Sequence, residues 1–113
     1  MADLGFDRVM PIHMDILNLI GYSSGSHEAK LETNLPKRLD IMRGGHDALV
    51  QTTGKDFGYD LRKWRRFLLW HGRDFGYMHP YIYKAVDDVV RKAINDAEFR
   101  QLAKILSARH PEQ

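Results

Sequence analysis

The sequence predicts an all-α fold: a single-domain bundle of about five helices with short connections, with room for one or two short strands near the amino terminus. Three observations carry this expectation. Apolar residues recur every three to four positions through the carboxy-terminal half, helix starts and stops punctuate that rhythm, and no alternating strand set competes with it. At 113 residues the whole chain, 1–113, is the size of one α-helical domain with one core.

From the amino terminus, the first element is an apolar stretch from Ile12 to Ile20, ended by Gly21. A Ser/Gly loop at 22–26 and a polar segment at 28–32 follow. A short helix beginning at Pro36 is expected to stop at the Gly44-Gly45 pair, because two adjacent glycines weaken a helix interior. Residues 47–53 suit a strand as well as a helix, given Leu49, Val50, Thr52 and Thr53. The next helix should run from Asp60, as cap, to about His71, with Gly72 as its stop.

The last two helices read most directly. Pro80 sits at a good first helical position, and Ile82, Ala85, Val86, Val89, Val90, Ala93 and Ile94 share one face. Lys84, Asp87, Asp88, Arg91 and Lys92 fall on the opposite face, where Lys84–Asp88, Asp87–Arg91 and Asp88–Lys92 pair at i,i+4. Asn95 then serves as an end and as a cap for the final helix, with Glu98 completing a capping-box pattern. Phe99, Leu102, Ala103, Ile105 and Leu106 form that helix's apolar face, which fades before Pro111.

Composition narrows the function classes. The chain is 43% hydrophobic and 28% charged, too apolar for a disordered protein, and no run approaches the roughly 18 apolar residues of a spanning helix. No membrane partner is therefore expected. Asp3, Asp7 and Asp15 stand where a secretory signal would carry basic residues, so the amino terminus is expected to belong to the mature fold. The absence of cysteine removes disulfides, thiolate metal sites and cysteine nucleophiles, and points to a reducing, cytoplasmic setting. The formal net charge of +2 conceals an uneven distribution: residues 1–36 carry −3, residues 37–73 carry +5, and residues 74–113 balance. The basic character is thus a local patch.

The most specific local feature is a repeat. Gly54-Lys55-Asp56-Phe57-Gly58-Tyr59 recurs as Gly72-Arg73-Asp74-Phe75-Gly76-Tyr77, eighteen positions later, with one conservative change. Two copies are too few for a solenoid. In each, the first Gly can stop a helix, the Asp can take backbone N–H bonds, the Phe can anchor the turn, and the second Gly can reverse the chain. One reading is a good helix connection used twice. The other is a paired polar and aromatic surface at the two ends of one helix, built from Lys55, Asp56, Tyr59, Arg73, Asp74 and Tyr77. A helix of about 12 residues spans about 18 Å, so one partner can touch both ends.

That intervening helix is basic and aromatic. Leu61, Trp64, Phe67 and Leu68 share one arc, and Arg62, Lys63, Arg65 and Arg66 the other; Arg62, Arg66 and Trp70 follow at i, i+4 and i+8. Such a stripe suits phosphates, an acidic protein partner, or stacking on a base. Its structural alternative is a solvated face with Trp70 tucked beneath a neighbouring helix. No recognised nucleic-acid-binding signature accompanies the 62–73 segment.

No catalytic constellation assembles from the sequence. His13, His27, His46, His71, His79 and His110 lack metal-ligand spacing, and Ser23, Ser24 and Ser26 lack a nucleophile-elbow context, so no metal, cofactor or catalytic residue is expected. The string Arg66-Phe67-Leu68-Leu69-Trp70-His71 resembles the Arg-x4-6-His motif of HEPN ribonucleases, small α-bundles that cleave RNA without metal. That resemblance implies His71 as proton-transfer group and Arg66 as holder of the scissile phosphate. On a straight helix two such side chains diverge by about 140°, so the pairing requires distortion.

The sequence therefore favours a small binding protein that occupies a partner's surface, most concretely a bacterial toxin-neutralising immunity protein or antitoxin. Lys55, Asp56, Tyr59, Arg62, Arg66, Trp70, Arg73, Asp74, Tyr77 and Tyr81 are the expected contact residues, since Trp, Tyr and Arg concentrate binding energy. A metal-independent ribonuclease and a nucleic-acid-binding helical domain are the alternatives.

Overall fold

A computed structural model describes residues 11–24, 29–79 and 83–108. Among them the fold is mostly helical, with one two-stranded sheet. In chain order the elements are α1 (Pro11–Ile20), β1 (Tyr22–Ser24), β2 (Ala29–Leu31), α2 (Leu35–Thr53), α3 (Leu61–Trp70), α4 (Gly72–Phe75), α5 (Tyr83–Ile94) and α6 (Ala97–Ala108). No helix among the described residues is long and apolar enough to cross a membrane.

Helix α1 is buried on most of its circumference by Ile12, His13, Ile16, Leu17, Leu19 and Ile20. It ends at Gly21, whose φ of +114° a side chain would resist and whose N–H donates to the Leu17 and Asn18 carbonyls. The short amino-terminal strands for which the sequence left room fall in the segments read locally as loop and polar connection, and pair antiparallel with Tyr22 opposite Leu31, Ser23 opposite Lys30 and Ser24 opposite Ala29. Arg38 closes the corner from α2. Its Nε and Nη2 both donate to the Ile20 carbonyl, at 3.2 and 2.9 Å, and Nη1 reaches Glu98 Oε1 at 3.2 Å. A helix end that would bury an orphan carbonyl is thereby satisfied by a buried guanidinium.

Helix α2 departs most from the sequence expectation. Asn34 caps it by accepting from the Lys37 N–H, Pro36 occupies its first turn, and the helix then runs unbroken through Gly44-Gly45 and residues 47–53. It stops only at Gly54, with φ of +76° and an N–H donating to Val50 O. Of the two glycines, Gly45 is there for packing. A Cβ on Gly45 would lie 2.3 Å from the Leu19 nitrogen, so glycine lets the backbones of α1 and α2 approach. Gly44, one step round the helix, faces open space.

Asp60 caps α3 as the sequence indicates, accepting from the Lys63 N–H at 3.1 Å. Leu61, Trp64 and Leu68 face inward, and Trp64 Nε1 donates to the Gly58 carbonyl at 2.8 Å. In the carboxy-terminal pair, Val86, Val90 and Ala93 of α5 and Phe99, Leu102 and Leu106 of α6 join the core, while Ala85 and Ile105 are exposed. Of the expected ion pairs, Asp87–Arg91 forms, and Asp88 pairs with Arg91 instead of Lys84 or Lys92. The cap of α6 is Asp96, which accepts from the Phe99 N–H at 2.9 Å; Asn95 does not cap, and Glu98 is drawn off by Arg38. The expected helix start at Pro80 and the position of Ile82 lie outside the described residues.

Candidate binding face on helix α3

The repeated turn explains how α3 is held. Its copies differ in their first half: Gly54 ends α2 in a left-handed conformation, whereas Gly72 opens the single helical turn α4. Their remaining residues play matching parts. Asp56 Oδ1 lies 2.8 Å from His46 Nε2, and Asp74 Oδ2 lies 3.1 Å from His71 Nδ1. Gly58 and Gly76 reverse the chain with φ of +60° and +80°. Phe57 and Phe75 both reach Phe67 in the middle of α3, at ring separations of 5.4 and 5.8 Å.

The two tyrosines are the clearest correction. Tyr59 and Tyr77, expected on a partner-facing surface, are buried, and each lies beside a buried histidine. Tyr59 stacks on His46 at 4.9 Å, and Tyr77 packs 5.7 Å from His13, whose Nε2–H donates to the Tyr77 carbonyl at 2.7 Å. Burial pushes the Tyr59 hydroxyl up to about 12, with Asp47 adding to the shift. Burial likewise lowers His13 below its ordinary value, against the opposing bond to the Tyr77 carbonyl. These rings are unavailable to a partner.

A second correction concerns charge. Arg65 and Asp87, both assigned to solvated faces, form a largely buried pair: Arg65 Nε and Nη2 donate to the two Asp87 oxygens at 2.8 and 3.0 Å. The Tyr77 hydroxyl donates to Asp87 Oδ1 at 2.9 Å. Burial alone pushes the Asp87 carboxyl up, but the bonds from Arg65 and Tyr77 outweigh it and hold the group below its ordinary value. Burial, with the Asp87 charge beside it, raises the Tyr77 hydroxyl well above its ordinary range. This network locks α3 to α5 and to the second turn, with the basic outer face of α3 left outward.

On that outer face Phe57, Lys63, Arg66, Phe67, Trp70 and His71 line an open groove of about 440 Å³. Trp70 is 82% exposed, so the tucked alternative does not occur. Arg62, Lys63, Arg66 and Arg73 make no ion pair among the described residues. The helix ends at Trp70, and His71 takes φ −107° and ψ 32°, which leaves the helical path. Arg66 and His71 line the same groove despite their five-residue separation, with the His71 ring 4.6 Å from that of Phe67.

The structure therefore brings Arg66 and Trp70 together in the groove and leaves the other described members of the expected contact set outside its lining. Arg62 lies outside the groove, exposed; Lys55 and Arg73 are exposed on the two turns; Asp56 and Asp74 are engaged with His46 and His71. Tyr81 lies outside the described residues. Phe57, Lys63, Phe67 and His71 complete the groove without having been assigned to the contact set. The ring of Phe57, a turn anchor in sequence, was the available signal. No family model, no curated protein and no solved structure matches this chain.

Proposed function

We propose that the protein is a non-catalytic binding module that docks a protein partner on the outer face of α3, most concretely a bacterial, cytoplasmic immunity protein or antitoxin that covers its toxin's active site. The observation that carries this reading is Trp70: a large aromatic side chain, 82% exposed, lining an apolar groove with Arg66 and Lys63, neither of them ion-paired among the described residues. Exposed Trp and Arg at one site are the residues that dominate protein interfaces, and exposing a Trp this fully has no benefit for the fold. The test is purification of the protein with its partner from a native lysate, followed by Trp70→Ala. That change should remove the stoichiometric partner while altering folding stability by less than about 0.5 kcal/mol, as expected of an exposed site. Retention of the partner by Trp70→Ala would place the interface elsewhere.

A second reading is supported by Arg66 and His71 lining one groove, with Asp74 holding the His71 Nδ1. A histidine oriented by a carboxylate, beside an arginine, suits proton transfer at a phosphodiester, the role that likeness to the HEPN ribonucleases implies. RNA cleavage by the purified protein that disappears in His71→Ala would favour this reading over docking.

A further inference from the structure

The groove carries enough chemistry to specify what kind of segment enters it. We infer that its occupant is an acidic, amphipathic helical segment of the partner, one that inserts an apolar side chain between Phe57, Phe67 and Trp70 and sets carboxylates against Arg66 and Lys63. This rests on the docking reading above and gives the partner's chemistry.

Three features of the groove argue for it. Its floor is apolar and preformed, because Phe67 is held by Phe57 at 5.4 Å and by Phe75 at 5.8 Å. Grooves of a few hundred Å³ with an apolar floor and a few charged groups at the rim are sites that bury a ligand's apolar side and orient it by its polar one. The rim is cationic: Lys63 and Arg66 line it, and neither is ion-paired among the described residues. Nearby carboxylates bond elsewhere, Asp74 to His71, Asp56 to His46 and the Gly58 N–H, Asp87 to Arg65 and Asp60 to the Lys63 N–H. An incoming carboxylate therefore meets Lys63 and Arg66 without first displacing a local partner among the described residues. Residues three or four apart on a helix lie about 5–6 Å apart, so the Lys63 and Arg66 cations match Glu residues at i and i+4 on a partner helix.

A nucleobase would also stack on Trp70, but it carries polar edges that need partners when covered. Lys63 and Arg66 can donate to a base's acceptors, but the lining holds no carboxylate, amide or hydroxyl side chain to accept from its amino groups. Apolar floor and cationic rim fit an acidic helix better.

The test uses Trp70 as its own reporter, since the other tryptophan, Trp64, is buried and bonded to Gly58. Three probes are titrated against the full chain: a helical peptide with Leu and Phe on one face and Glu at i,i+4, the same peptide with Gln in place of Glu, and a short single-stranded RNA. The Glu peptide should shift Trp70 emission to the blue and bind about tenfold tighter than the Gln peptide at low salt, the scale of two exposed charge pairs. Raising salt, or the Lys63→Gln/Arg66→Gln double variant, should erase that difference, with circular dichroism confirming the fold. Equal binding of both peptides overturns the acidic occupant while docking stands. Tighter binding by the RNA overturns it in favour of nucleic acid. No peptide binding overturns it as well, and the lysate capture with Trp70→Ala then separates the two ideas: partner lost there means docking survives, and partner kept means both fail.

Discussion

Replacing Gly45 and Gly44 separately by alanine should move stability in opposite directions. Both lie in the middle of α2, where alanine is favoured over glycine by about 0.5–1 kcal/mol. At Gly44 nothing lies within 4 Å of an added Cβ, so Gly44→Ala gains that amount. At Gly45 the new Cβ would stand 2.3 Å from Leu19 N, 2.6 Å from Asn18 C and 2.8 Å from Leu19 Cα. All three are backbone atoms of α1, so no side chain can swing aside and the two helices must separate. Forcing atoms into a packed contact costs about 1–3 kcal/mol, and backbone clashes belong at the upper end. After the propensity gain, Gly45→Ala should lose about 2 kcal/mol. The variants then differ by about 3 kcal/mol, or roughly 10 °C in Tm for a domain of this size. Thermal and urea unfolding followed by far-ultraviolet circular dichroism reads both. Stabilisation by both alanines would mean that α1 does not lie against Gly45, and destabilisation by both would mean that the helix does not run through the pair.

Asp87→Asn should lower urea-unfolding stability by about 2–4 kcal/mol, because it leaves Arg65 without its carboxylate and disturbs the Tyr77 hydroxyl in a buried site; a loss below about 1 kcal/mol would show the network to be dispensable. Acid should destabilise the protein in two stages. The unfolded chain protonates His13 near its ordinary 6.5 while the folded chain, with His13 lowered by burial, does not, so stability falls as pH drops below that value. Asp87, held below its ordinary 3.8, adds a further loss as pH falls through its depressed folded value, while Asp15, raised by burial, works in the opposite sense. A urea midpoint that stays flat between about pH 7.5 and 5.5 would refute the His13 part. In alkali the sign reverses. Tyr59, pushed to about 12, and Tyr77, raised further, keep their protons where the unfolded chain loses them, so stability should decline above the ordinary tyrosine value of 10. Their ionisation, followed by ultraviolet absorbance, should coincide with unfolding; earlier ionisation would contradict their burial.

The helical class was legible because period and punctuation agree in the chain's second half, and Asp60 caps α3 where a capping residue precedes an apolar rhythm. Gly44-Gly45 misled because a glycine pair reads as a stop, whereas the cause of Gly45, the closeness of another helix, is a tertiary fact. The same limit applies to Asp87. On a wheel it belongs with Asp88 and Arg91, and its burial depends on Arg65 and Tyr77 arriving from other elements to join Arg91. Asp96 outcompetes Asn95 as cap by one position, a shift that local sequence cannot resolve when both residues are good caps. At the candidate site, Arg66 and Trp70 were visible as a stripe, but the groove was not, because Phe57 reaches it from a separate turn.

The turn that occurs twice grips the centre of α3 from both ends, through Phe57 on one side and Phe75 on the other. A partner arriving at the groove therefore finds its floor already assembled. Little chain or side-chain freedom in the floor remains to be lost, and Trp70 and the long cationic side chains at the rim are what must settle. Association should consequently be governed by encounter and by salt, with the strength of the complex residing in how slowly Trp70 lets go.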